Sequence, residues 1–167
     1  MNENEYLDAL DINYKFNKRS SPIPPELRPI WKLAIVVLIL DKCCLKYTSS
    51  FQKMQILCWA VKNMKNQSEL LNFITNRNTD GYFNLVVRYE PSVNRIIDIA
   101  LAEEYIELVN GNRIRLTDKG KKFAGEIDKA TDILENEKCF FKLIGKGLSE
   151  KLLSELTKEL RKNDIKN

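Results

Sequence analysis

The chain has 167 residues, 44% hydrophobic and 30% charged, with a formal net charge of +4 and no histidine. That length and balance suit one domain with modest appendages, large enough to bury a core without disulfide or metal staples. They exclude imidazole general bases and Ser-His or Cys-His nucleophile pairs, and the mild positive charge is compatible with nucleic acid without requiring it.

Cys43, Cys44, Cys58 and Cys139 follow no metal-ligand spacing, so they read as reduced, mostly buried thiols. No metal and no other cofactor is expected on this chain. Its polar, acidic start, Met1 to Asn4, is no secretory signal. The most apolar run, residues 33–40, sits between Lys32 and Asp41 and falls well short of the ~20 residues that span a bilayer. A cytoplasmic protein with no membrane contact is expected.

Residues 1–28 are polar, with Pro22, Pro24 and Pro25 after Ser20 and Ser21, and read as an extended N-terminal arm. Pro29 suits the first turn of a helix, and residues 30–44 are apolar nearly all round, which predicts the central core helix. A linker at 45–48 leads to Ser49 and Ser50, either able to cap the next helix. That helix turns Phe51, Met54, Leu57, Cys58, Val61 and Met64 inward, leaving Lys53, Gln55 and Lys62 for solvent or a partner.

Ser68 reads as the cap of a third helix with Leu70, Leu71 and Ile74 inward, before a break at 76–81. Residues 82–89 are rich in aromatic and β-branched types and read as a strand closed by Pro91. Ser92 then caps a helix burying Val93, Ile96, Ile97, Ala100 and Leu101. Two β-prone runs, 105–109 and 113–116, flank Asn110-Gly111-Asn112, a strong hairpin signal because Asn and Gly accept positive φ. Thr117 caps a helix reaching about residue 134.

The tail holds a helical piece at 139–144, a Gly145-Lys146-Gly147 break, and an amphipathic helix at 149–162 with a Leu152, Leu153, Leu156, Leu160 stripe. Such a stripe covers either its own domain or a partner's groove.

The expected fold is mainly α with a small β-hairpin wing, an α+β winged-helix domain carrying an extra helix and strand and a C-terminal helical tail. Its parts are the arm at 1–28, the winged-helix domain at 29–134 and the helical extension at 135–167. No catalytic constellation stands out. Gly145-Lys146-Gly147 lacks both the earlier glycine and the following Ser or Thr of a phosphate loop, and the carboxylates are scattered among lysines. The chain is expected not to be an enzyme.

The helix before the wing carries Arg95 against Asp98, Glu103 and Glu104, a poor surface for phosphates. Residues 110–125, on the wing and the start of the helix after it, carry Arg113, Arg115, Lys119, Lys121 and Lys122 against Asp118. These cations are candidate DNA-backbone contacts; a solvated face or a dock for an acidic partner is the alternative.

Tyr89-Glu90-Pro91-Ser92-Val93-Asn94-Arg95, Ala100-Leu101-Ala102-Glu103, Val109-Asn110-Gly111-Asn112-Arg113 and Leu116-Thr117-Asp118-Lys119-Gly120 resemble the middle component of ABC-three-component systems. So do Arg28-Pro29 with the apolar helix to Asp41, and Lys53-Met54-Gln55-Ile56-Leu57-Cys58-Trp59-Ala60. The resemblance implies a non-enzymatic subunit linking an SMC-like ATPase with long coiled coils to an effector, commonly a nuclease. Lamassu anti-phage systems are the best-known members. ATP and metal would sit on the partner subunits of this hetero-oligomer, and DNA contact within the complex is left open.

Under that reading the candidate partner surfaces are Tyr82 and its strand, the surface around Asn94 and Arg95, and Leu153, Leu156 and Leu160 of the last helix. The alternative is a free-standing winged-helix regulator, a homodimer on a palindrome. A regulatory subunit with a small-molecule pocket is a third reading.

Overall fold

The computed structural model describes residues 28–75 and 90–164, with the side chains of 159–164 left out of the description. The N-terminal arm, the strand expected at 82–89 with Tyr82, and the Leu160 side chain lie outside the described residues.

Helix α1 (Pro29–Cys43) opens with proline in its first turn, where a missing N–H costs nothing. Every side chain from Leu33 to Leu40 is buried. A helix buried all round must be central, and α1 is indeed covered by the helices made later. The chain leaves it in extended geometry at Cys44 and enters a short 3-10 turn at Leu45–Tyr47. Lys46 (φ 52°) and Tyr47 (φ 57°) there are consecutive left-handed residues, each costing about 1–2 kcal/mol against right-handed backbone. The Thr48 hydroxyl, donating to Lys46 O at 3.0 Å, closes the turn.

A strand follows where the sequence predicts the end of a linker and two candidate caps. β1 (Thr48–Ser50) is only three residues of Thr and Ser, with no apolar alternation to betray it. Ser50 then caps α2 (Phe51–Ala60), accepting from Lys53 N at 3.3 Å. α3 (Met64–Thr75) starts earlier than expected. Ser68 lies inside it and donates to Met64 O at 2.9 Å, so it is no cap; Leu70 and Phe73 are buried and Met64 is exposed.

α4 (Pro91–Ala102) begins at Pro91 with Glu90, not Ser92, at the cap. Val93, Ile96, Ile97 and Ala100 face the core as expected. β2 (Ile106–Val109) and β3 (Arg113–Leu116) form the expected hairpin, turned by left-handed Asn110 (φ 53°) and Gly111 (φ 74°). The sheet is antiparallel and three-stranded in the order β1-β3-β2, with Thr48 opposite Arg115 and Ser50 opposite Arg113.

Thr117 caps α5 (Asp118–Lys129), accepting from Gly120 N at 3.1 Å. Gly120 is required there: a Cβ would collide with Tyr105 O and crowd Leu116 Cδ2. The helix ends at Lys129, short of the expected 134. α6 (Glu135–Ile144) follows left-handed Leu134 and stops at Gly145, and α7 (Glu150–Asp164) closes the described chain.

The protein is thus mainly helical with a small antiparallel sheet. Segment 135–167, set apart in the sequence reading, contributes Phe140, Phe141, Ile144, Leu148, Leu152, Leu153 and Leu156 to the same core as α1. Among the described residues no helix is long and apolar enough to cross a membrane.

Candidate functional site

The start of α4 is fixed by a polar junction. Gln55 and Lys53, expected at the surface, are both buried. Gln55 accepts from Glu90 N (3.2 Å) and donates to Glu90 O (3.4 Å) and Asn94 Oδ1 (3.0 Å). The Glu90 carboxylate pairs with Lys32 at 3.8 Å and with Lys62, and Lys32 also reaches Ser92 Oγ at 2.6 Å. Lys53 donates to Cys43 O at 2.8 Å, satisfying a carbonyl at the end of α1. Both side chains belong to the fold and not to a partner surface.

From that anchor α4 presents Asn94, Arg95, Asp98, Ile99, Ala102 and Glu103 outward. Its exposed surface is therefore acidic, with Arg95 as the cation in its own sequence. Asn94 and Arg95 lie together at its first turns, although Asn94 is already engaged by Gln55. Across the wing, Leu108 on β2 is 53% exposed.

Arg115 and Lys121 line one surface groove, and most of the wing cations are engaged. Arg113 pairs with Glu150 at the start of α7 (2.8 Å), and Arg115 pairs with Glu107 across the hairpin (2.7 Å). Lys119 donates to Glu103 O (2.7 Å) and lies 4.7 Å from the centre of the Tyr105 ring. Lys121 pairs with Asp118 (2.9 Å) and stands 5.1 Å from the centre of the Tyr47 ring. The hydrogen bond from Lys121 holds the Asp118 carboxyl below its ordinary 3.8. Lys122 is exposed. Glu107 and Glu150 lie outside residues 110–125, so the patch carries less unopposed charge than that stretch alone implies.

Lys46, Tyr47, Glu107, Arg115, Thr117, Asp118 and Lys121 line an open groove between the left-handed turn and the wing. Sequence reasoning missed Lys46 and Tyr47 as site residues. Only the pairing of β1 with β3, invisible in the sequence, brings that turn beside Arg115.

The leucine stripe expected to meet a partner is corrected here: Leu153 is 3% and Leu156 1% exposed, both within the core. In this conformation they are not available to another chain.

Burial pushes the Cys43 and Cys58 thiols up to about 12 and raises Cys44 as well, while Cys139 is exposed. Among the described residues no group of three or more Cys, Asp or Glu side chains is arranged to hold a metal ion.

Compared with known proteins, the chain matches no family model, no curated protein and no solved structure.

Proposed function

We propose that this chain is a winged-helix bridging subunit of a DNA-triggered anti-phage or anti-plasmid defence complex. It docks an SMC-like ATPase and a nuclease-type effector and does no chemistry itself. The winged-helix assignment is supported by element order and sheet order together. α1, β1, α2, α4 and the β2–β3 hairpin follow one another, with the sheet arranged β1-β3-β2; α3 and the segment after it are then an insertion. The motif resemblance described above supports the defence-complex setting.

The observation that carries the bridging role is the outward face of α4. In a sequence-reading winged helix this helix enters the major groove and faces phosphates on both sides. Here the helix and its cap offer Asp98 and Glu103 beside Ile99, against Arg95 at the helix start. An acidic surface with an exposed apolar residue suits a protein partner bearing cations and is repelled by DNA. Leu152, Leu153 and Leu156 of the last helix are core residues and leave no described leucine stripe for a homodimeric regulator to pair through.

The test is the mass of the assembly recovered when the tagged protein is expressed from its native operon. A stable heteromer containing a large coiled-coil ATPase is expected. A homodimer alone, binding one short duplex far above random DNA, would overturn the reading in favour of the regulator.

A further inference from the structure

We propose that the groove between the Leu45–Tyr47 turn and the wing binds single-stranded nucleic acid, with Tyr47 stacking on an unpaired base and Lys46, Arg115 and Lys121 meeting the flanking phosphates. This extends the proposed function by naming a ligand for the chain itself, and it does not depend on the bridging role.

Three observations converge on the groove. First, Tyr47 is 40% exposed although aromatic, and the Thr48 hydroxyl bond to Lys46 O closes the turn that carries it. Tyr47 precedes Thr48, whose pairing with Arg115 sets the ring beside the wing.

Second, one cation beside the ring is unpaired and two others sit in surface ion pairs. Lys46 is exposed, and its ammonium has no partner among the described residues. Arg115 and Lys121 are held by Glu107 and Asp118, and these pairs lie at the surface. Exposed ion pairs contribute little, so a phosphate can replace either carboxylate.

Third, the combination selects among anionic ligands. An acidic peptide would satisfy the cations without stacking on the ring, which already has Lys121 5.1 Å from its centre. A duplex offers phosphates but keeps its base faces stacked. A single strand supplies both a phosphate track and a free π-face, the pairing that aromatic and basic grooves exploit.

The experiment is fluorescence anisotropy of the full chain with a labelled thymidine oligomer of about 15 nucleotides, within the usual span of one such site. At low salt the wild type is expected to bind, and Tyr47→Ala to bind about tenfold more weakly. Tyr47→Phe, which keeps the ring, should bind as wild type does. Lys46→Glu should weaken binding and flatten its salt dependence by roughly the ~0.7 per phosphate contact expected of single strands. A blunt duplex of equal length should be bound more weakly and be indifferent to Tyr47→Ala.

No binding of the oligomer at low salt, or unchanged binding by Tyr47→Ala with an unchanged thermal melt, would overturn the proposal. So would a polyglutamate peptide that binds while the oligomer does not, which would assign the groove to an acidic protein. None of these results touches the assembly mass that tests the bridging role.

Discussion

Gln55 holds the backbone of Glu90 at both ends, accepting from its N–H at 3.2 Å and donating to its C=O at 3.4 Å. One side chain of α2 thereby sets where α4 begins, across 35 positions of sequence. The expected consequence is local and large. Gln55→Ala strands buried polar groups and should cost about 1–3 kcal/mol, read as a lower urea midpoint. Asn94→Ala, altering only the exposed end of the network, should cost less. Equal losses would mean that the grip on Glu90 is not what matters.

Leu156 lies in the core, so Leu156→Ala should lower stability by about 2–5 kcal/mol. Leu143→Ser, on the exposed face of α6, should change it by no more than about 0.5 kcal/mol. A Leu156 variant that melts as wild type does but loses a binding partner would return the stripe to the surface.

Gly120 sits where α5 meets the backbone entering β2. Gly120→Ala has to displace Tyr105 O or Leu116, and overpacking of this kind costs about 1–3 kcal/mol. Thermal denaturation measures it; a neutral effect would show that α5 can shift away from the sheet freely.

Thiol chemistry should distinguish one cysteine from the others. Burial raises Cys43 and Cys58 to about 12 and raises Cys44 in the same direction, which leaves little thiolate near neutral pH. Brief alkylation of the native protein, read by peptide mass spectrometry, should modify Cys139, which is exposed. Rapid labelling of Cys58 under the same conditions would contradict the packing of α2.

Lys42 and Asp128 tie α1 to α5 at 2.8 Å. Hydrogen bonding to Lys42 lowers the Asp128 carboxyl from 3.8, and the same bond raises Lys42 from 10.5. A carboxyl lowered on folding contributes stability above its unfolded value and loses it as pH falls through the folded value. A raised ammonium contributes below its unfolded value and loses that as pH rises through the folded one. The destabilisation of Asp128→Asn should therefore be greatest between pH 3.8 and 10.5 and fade outside that window. Urea midpoints across pH measure it. The pair is partly exposed, so the effect is small, and a difference that persists undiminished near pH 2 would mean the aspartate acts through packing.

The elements legible in the sequence were those whose reason is local. The central helix announced itself by an apolar run with proline at its start, and the hairpin by Asn110-Gly111, whose backbone is left-handed at both positions. β1 was not legible, because its Ser and Thr residues become a strand only by pairing with β3. Ser68 had the chemistry of a cap but hydrogen-bonds within a helix already begun. Lys53 and Gln55 looked like surface residues because burial of a polar side chain depends on partners from elsewhere, here Cys43 O and Glu90. The wing cations are plain in the sequence, but the acids opposite Arg113 and Arg115 are not. Glu150 reaches Arg113 from 37 positions away, a distance over which no local charge count operates.

The burial of α1 by α5 and α6 also sets a clock on synthesis. Cys43 lies against the Phe141 carbonyl, 98 positions later in the chain. At ~5–20 residues per second, the first core helix emerges roughly 5–20 seconds before the helix that covers that end of it. During that interval α2, α4 and α5 cover the stretch from Leu33 to Leu40 only in part. Forms of the chain ending before α6 should therefore aggregate more readily than the full chain.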